Sequence, residues 1–274
     1  MHILDEEFRW LKKYMSDKFG INLEGKVSLI EGRLSDRLQN RGFQSFGAYA
    51  EAVMADKTGQ EDSFLVSRLT TNYTYFLREE QHYSFMRATA LPDMTKYIKD
   101  FDLRIWSAGC SSGEEPYTTA MVLMEYFGSQ HVRWDTTVLG TDISEQVLSA
   151  ARKGIYTVNT LSHLPDRWRQ QYFCKLDDGR YQVSDVLRKQ VVFGHFNLMD
   201  RTMPFKKKFH IIFCRNVMIY FDNPTREALT NRFYHMLEPG GYLFIGMSET
   251  MMNLKTPFEY VRPAIYRKGI KSSG

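Results

Sequence analysis

The fifteen-residue stretch Leu103 to Tyr117, LRIWSAGCSSGEEPY, limits the fold more than any other part of the chain. Strand formers Leu103, Ile105 and Trp106 lead into a turn from Gly109 to Gly113, and a helix opens behind it. Pro116 falls early in that helix, where its missing N–H costs nothing. A strand, a glycine turn and a helix start form the ligand-cradling corner of an open α/β sheet.

The contents of the corner select among ligands. The dinucleotide pattern G-x-G-x-x-G is absent, because Gly109 and Gly113 are separated by Cys110, Ser111 and Ser112. Glu114 and Glu115 sit in the first helical turn, where the helix dipole favours carboxylates. They crowd the place of a pyrophosphate and suit a cation. S-adenosylmethionine, with its sulfonium and amino group, is such a ligand. An ordinary strand–helix turn with a well-charged helix start accounts for the same residues.

The chain beyond keeps an α/β rhythm. The helix from Glu114 to Phe127 carries Ala120, Leu123, Met124 and Phe127 for packing, and Trp134 to Thr141 reads as the next strand, ending in Asp142. An acidic side chain at that strand end accepts both hydroxyls of a ribose. Asp142 can equally cap the helix predicted over Ser144 to Arg152, as can Ser144 itself. From Gly154 to Lys189 the rhythm breaks, and Asp178-Gly179 between Leu176 and Tyr181 signals a hairpin, hence a short antiparallel insertion. Val191 to Phe193 predicts a third strand, followed by Asn197. The apolar run Phe209 to Cys214, behind the basic loop Lys206 to Lys208, predicts a central parallel strand. Ligands bind beyond the carboxyl ends of such strands, which makes Arg215, Asn216 and Tyr220 candidates. A helix from Asn223-Pro224 to Leu237 is predicted to stop at Pro239-Gly240-Gly241. A strand from Tyr242 to Met247 and a final strand or hairpin over Phe258 to Arg267 complete the body.

Asp5 to Leu69 is helical instead. Phe8, Leu11, Met15 and Phe19 make one apolar face that stops at Gly20. A second helix, about Lys26 to Asn40, turns Ile30, Leu34 and Leu38 inward and carries Arg33, Arg37 and Arg41 in a row beside them. Segments Ser45 to Met54 and Asp62 to Leu69 complete a small bundle. The arginine row is either a solvated face or a docking surface for an acidic helix. The junction LTTNYTYFLREEQHY, Leu69 to Tyr83, mixes threonine, asparagine and aromatic residues and is predicted to break the helices. Such a loop between two domains is suited to closing a site; a capping box, Thr74 with Arg78 beyond it on the next helix, is the alternative. The predicted organisation is a helical domain over 1–75, a linker helix over 76–100 and an α/β domain over 101–274, with the insertion at about 154–190.

Composition sets the limits. The net charge of +4 falls far short of a nucleic-acid-binding excess. Cys110, Cys174 and Cys214 are widely spaced with no C-x-x-C, which argues for a reducing cytoplasm and against a structural zinc site. The acidic start at Asp5, Glu6 and Glu7 is unlike a secretory signal, and no apolar run approaches the length of a membrane span.

Five blocks, TTNYTYFLRE, WSAGCSSGEEPY, GTDIS, FNLMD and IFCRNVMIYFD, occur in that order, and together they resemble the chemotaxis receptor methyltransferases, the CheR family. The resemblance covers nearly the whole chain. One departure is Gly109-Cys110, where alanines are frequent. The implied fold is α/β: a Rossmann-like S-adenosylmethionine-dependent methyltransferase sheet, a small all-helical N-terminal domain and a short antiparallel β insertion. The implied activity is methyl transfer from S-adenosylmethionine to glutamate carboxylates of methyl-accepting chemotaxis receptors, leaving S-adenosylhomocysteine, with no metal, in a cytoplasmic monomer. By the same resemblance Asn72, Thr74 and Arg78 approach the cofactor, and Glu115 or Glu114 meets its amino group. Asp142 takes the ribose, and Asn197, Leu198, Cys214, Arg215 and Asn216 lie around the adenine and the strand end. Arg78 and Tyr220 aid transfer. Because a glutamate carboxylate ionises near pH 4.3, no general base is needed, only in-line placement at roughly 3 Å. A glutamate-rich receptor helix is also a natural partner for Arg33, Arg37 and Arg41. Some family members further bind a receptor's C-terminal peptide through the inserted β element. The competing functions are a small-molecule or nucleic-acid methyltransferase, a non-catalytic cofactor sensor and an NAD-dependent oxidoreductase.

Overall fold

The computed structural model describes residues 1–270; the end of the expected α/β domain, 271–274, lies outside the described residues. The N-terminal bundle consists of α1 (Asp5–Phe19), α2 (Val27–Asn40), α3 (Phe46–Ala55) and α4 (Gln60–Leu69). Gly20 ends α1 with φ 70°, and the Ser45 hydroxyl caps α3 by accepting from the Ala48 N–H. Leu11, Met15 and Phe19 of α1 meet Ile30, Leu34 and Leu38 of α2 and Leu65 of α4 in a separate core.

The junction is irregular from Thr70 to Glu79, as its composition predicts. The linker then runs through α5 (Glu80–Phe85), a π-helical turn over Met86–Ala90 and α6 (Leu91–Thr95). Pro92 gives the π turn its physical reason: a proline lacks the N–H and crowds the carbonyl one turn back, so the helix widens rather than breaks.

The α/β body comprises β1 (Ile105–Ala108), α7 (Glu114–Phe127), β2 (Val138–Asp142), α8 (Glu145–Lys153), β3 (Ile155–Tyr156), α9 (Asp166–Tyr172), β4 (Phe173–Lys175), β5 (Tyr181–Val183), α10 (Asp185–Arg188), β6 (Val191–His195), β7 (Phe209–Cys214), α11 (Asn223–Met236), β8 (Leu237–Ile245), β9 (Glu259–Arg262) and β10 (Ile265–Arg267). Seven strands form one sheet in the order β6-β2-β1-β7-β8-β10-β9. The first five are parallel and the last two join antiparallel. The insertion carries its own sheet, β3-β5-β4, with the predicted hairpin at Asp178-Gly179.

Strand alternation sorts the two cores. Ile105, Ile211, Phe213 and Phe244 face one side, with Tyr117, Met121 and Phe127 of α7. Trp106, Ala108, Ile212 and Cys214 face the other, with Leu229 and Phe233 of α11.

Two expected boundaries are corrected. The strand expected from Trp134 begins at Val138, because Trp134 serves as a plug, its ring 4.8 Å from Phe127 and 5.2 Å from Phe101. The strand expected from Tyr242 to Met247 runs instead from Leu237 to Ile245. The predicted helix does end here, at Met236, but Pro239-Gly240-Gly241 lies within the strand that follows, as an irregularity inside β8. A Cβ on Gly241 would come within 2.9 Å of two backbone carbonyl oxygens, those of Glu238 and His210.

Candidate active site

β1, β2 and β7 end at one edge of the sheet, and the helical bundle sits over that edge. The segment after α1 pairs with the one after β7, where Ile21 bridges Phe221 and the Asn22 N–H donates to the Tyr220 carbonyl at 2.8 Å. The Asn197 amide donates to the Lys18 carbonyl at 2.8 Å, a second tie between bundle and sheet. Between them lies a cleft lined by the junction, the glycine turn and the strand ends.

The floor is the turn after β1. Gly109 has φ 88°, a left-handed conformation that favours glycine, and a Cβ there would meet the Val217 side chain at 2.4 Å. The Gly109 and Cys110 N–H groups both donate to the Thr141 carbonyl, at 2.8 and 2.9 Å, which locks the turn against β2.

The two glutamates of the helix start diverge. Glu114 is buried, takes the Ser112 hydroxyl at 2.7 Å and does not line the cleft. Glu115 does line it, accepting from the Ser107 hydroxyl at 2.7 Å and from Arg215 Nη1 at 2.9 Å. Burial pushes the Glu115 carboxyl up, and Arg215 and Ser107 pull it back. Asp142 also lines the cleft. Its Oδ2 accepts from the Ser111 N–H at 2.9 Å and its Oδ1 from the Ser144 N–H at 3.0 Å, while burial raises it. Neither Asp142 nor Ser144 places a side-chain cap on α8.

Asn72, Thr74, Arg78, Asn197, Leu198, Arg215, Asn216 and Tyr220 line the same cleft. Cys214 does not. It points into the α11 core, and Cys110 of the glycine turn lines the cleft instead. Two of these residues hold loops. Arg78 Nη1 donates to the Tyr73 carbonyl at 2.8 Å, and the Asn72 carbonyl accepts from the Ser111 hydroxyl at 3.1 Å, so the junction is fastened to the glycine turn.

The arginine row has internal partners. Arg33 donates to the carbonyls of Arg68 and Thr70 at 2.9 and 2.8 Å, Arg37 lies over the Phe64 ring at 4.3 Å, and Arg41 pairs with Glu61. Arg33 therefore ties α2 to the start of the junction.

Sequence reasoning missed two carboxylates. Glu79 bonds Arg215 from the side opposite Glu115, and Glu249 gathers the N–H groups of Asn216 and Ile219, each at 3.0 Å, to shape the loop after β7. Glu79 directly follows Arg78 in the quoted motif, the one signal that could have found it.

A family model described as "CheR methyltransferase, all-alpha domain" matches residues 6–70, and one described as "CheR methyltransferase, SAM binding domain" matches residues 72–266. The chain belongs to the CheR methyltransferase family. It is therefore an S-adenosylmethionine-dependent methyltransferase. A chemotaxis protein methyltransferase of Borreliella burgdorferi is 44% identical over 98% of this chain and 96% of its own length. A probable chemotaxis protein methyltransferase of Rhizobium etli is 36% identical over 92% and 95%, and chemotaxis protein methyltransferase 2 of Vibrio cholerae is 34% identical over 95% and 91%. No helix among the described residues is long and apolar enough to cross a membrane.

Proposed function

We propose that this CheR family member esterifies glutamate side chains of chemotaxis receptors. The observation that carries the reading is the charge layout of the cleft: two carboxylates, Glu115 and Asp142, line it together with the cations Arg78 and Arg215. The relatives' names, chemotaxis protein methyltransferase, supply the receptor as substrate class.

The residues fit the cofactor. Among the described residues no lysine lines the cleft, and Arg215 is tied to two carboxylates, so the floor suits an ammonium and a sulfonium rather than a pyrophosphate. Glu115 would hold the amino group and Asp142 the ribose hydroxyls. Leu198 and the backbone of Asn197 would border the adenine, since the Asn197 side chain is spent on Lys18 and Met199. When bound, S-adenosylmethionine supplies the methyl group and a neutral thioether leaving group.

A glutamate carboxylate is ionised at neutral pH, with an unperturbed pKa of about 4.3, so no side chain has to remove a proton. The task of Arg78 is to hold that carboxylate by its planar fork while the Tyr73 carbonyl steadies the guanidinium. Tyr220 is a neutral second donor, its hydroxyl proton turning from the Thr71 carbonyl to the incoming carboxylate. The face bearing Arg33, Arg37 and Arg41 receives the acidic helix that carries the glutamate; Arg37, over the Phe64 ring, supplies charge there, while Arg41 is offset by its pairing with Glu61.

The test is transfer of a labelled methyl group to receptor-containing membranes, with alkaline release of methanol. Label in the receptor band that alkali liberates supports the reading. Label on free amino acids or RNA but not on receptor, or an alkali-stable product, removes it.

A further inference from the structure

Arg215 is 6% exposed and sits between two carboxylates. Nη1 meets Glu115 Oε2 at 2.9 Å and the Tyr83 hydroxyl at 3.1 Å, Nε meets Glu79 Oε2 at 3.2 Å, and Nη2 donates to the Arg78 carbonyl. Glu115 lines the cleft and Glu79 stands behind it. The second oxygen of Glu79 accepts from the Met247 N–H at 3.1 Å. Glu79 holds this position against its backbone preference: its φ is 57° and that of Leu77 is 59°, so two left-handed non-glycine residues flank Arg78. Such conformations are disfavoured for non-glycine residues and persist only where the surroundings enforce them.

The cluster's charge count gives this arrangement a purpose. Arg215 beside Glu115 alone would be a neutral pair, leaving little for a cofactor's ammonium to bind. With Glu79 the cluster of two carboxylates and one guanidinium carries one negative charge. His82, whose Nδ1 is 3.4 Å from Glu79, adds none, because burial and Arg215 hold its pKa down to about 4. Burial alone would raise the Glu79 carboxyl, but Arg215 and the Met247 N–H bring it below its ordinary value, so it stays ionised.

We propose that Glu79 is a positioning residue that occupies Arg215 and thereby leaves the Glu115 charge free for the cofactor's amino group. The proposal rests on the cleft being the S-adenosylmethionine site. It assigns to Glu79 a discrimination between ligands with and without that amine, exerted with no contact to the ligand.

The experiment titrates calorimetrically S-adenosylhomocysteine and its des-amino analogue, which keeps the adenosine, sulfur and carboxylate. Glu79→Gln preserves the acceptor for Arg215 and removes the charge. It is expected to weaken S-adenosylhomocysteine about tenfold while the des-amino analogue changes by no more than about twofold. The double variant Glu79→Gln with Arg215→Met removes both buried charges; because Arg215 also holds the Glu115 carboxyl down, it is titrated at alkaline pH, where Glu115 is ionised, and is there expected to recover most of the preference. Equal weakening of both ligands, or an unchanged ratio, in Glu79→Gln overturns the proposal. So does a double variant whose ratio stays lost. Should the single variant not fold, the double variant alone decides by the same criterion. Absence of S-adenosylhomocysteine binding to the unaltered protein is a separate outcome, which removes the cofactor assignment itself.

Discussion

The Tyr220 hydroxyl accepts from the Thr71 N–H at 2.7 Å and lies 3.2 Å from the Thr71 carbonyl, so a residue after β7 closes directly onto the junction between the domains. Arg78 is likewise held by the Tyr73 carbonyl. The two groups assigned to the transfer step are thus positioned by the loop that covers the cleft.

Removing them should separate chemistry from binding. Arg78→Ala is expected to lower kcat by roughly two to three orders of magnitude, the scale seen when one preorganised donor is lost. S-adenosylhomocysteine affinity should stay within about threefold. Tyr220→Phe should cost less, because Arg78 remains. Single-turnover kinetics beside equilibrium binding check both, and near-normal turnover in Arg78→Ala takes Arg78 out of the mechanism.

Within the arginine row the roles should divide. Arg33→Ala deletes bonds to Arg68, Thr70 and Thr71, so backbone hydrogen exchange over residues 70–78 should quicken and stability should fall by about 1–2 kcal/mol. Arg37→Glu should leave the loop alone, raise KM for receptor and steepen with falling ionic strength.

Acid should weaken cofactor binding early. Burial raises Glu115, and a cation needs it as carboxylate, so affinity falls with falling pH from above the usual glutamate range, by up to about tenfold per pH unit. Binding then releases a proton, detectable by calorimetry in buffers of differing ionisation enthalpy. Glu115→Gln should abolish both the release and most of the affinity.

Stability should fall over a different window. His82 and His210 are buried and neutral, burial holding each pKa down to about 4, with Arg215 adding to the effect at His82 and Arg104 at His210. Their folded values lie below the unfolded one of about 6.5, so the unfolded chain binds protons first as pH falls. Their contribution is complete above about 6.5 and is lost as pH drops towards 4, on the order of 1–3 kcal/mol for each histidine. Thermal melts across this range should show the slope, and His82→Leu should flatten it.

Much of this was legible in the residues. The glycine turn, the α7 bounds and β7 follow from local punctuation and apolar runs, where propensity and tertiary packing agree. Trp134 misled because its local signal, a strand former, was overridden by a ring-packing plug; Pro239-Gly240-Gly241 does follow the end of α11, but β8 already begins at Leu237 and takes the three residues in as an irregularity. The placement of Cys214 follows from strand parity once β7 is fixed, which turns it to α11. Glu79 has only its place beside Arg78 in the motif to mark it, since its pairing with Arg215 spans 136 residues and no local pattern encodes a buried charge count.

A cleft lined by Glu115 and Asp142 is proposed to take a positively charged sulfur compound beneath the junction loop. Isothermal titration of the full chain with S-adenosylmethionine, S-adenosylhomocysteine and NAD decides this. Saturable heat with the first two and none with the dinucleotide is the predicted result; binding of NAD with silence from both sulfur compounds would contradict it.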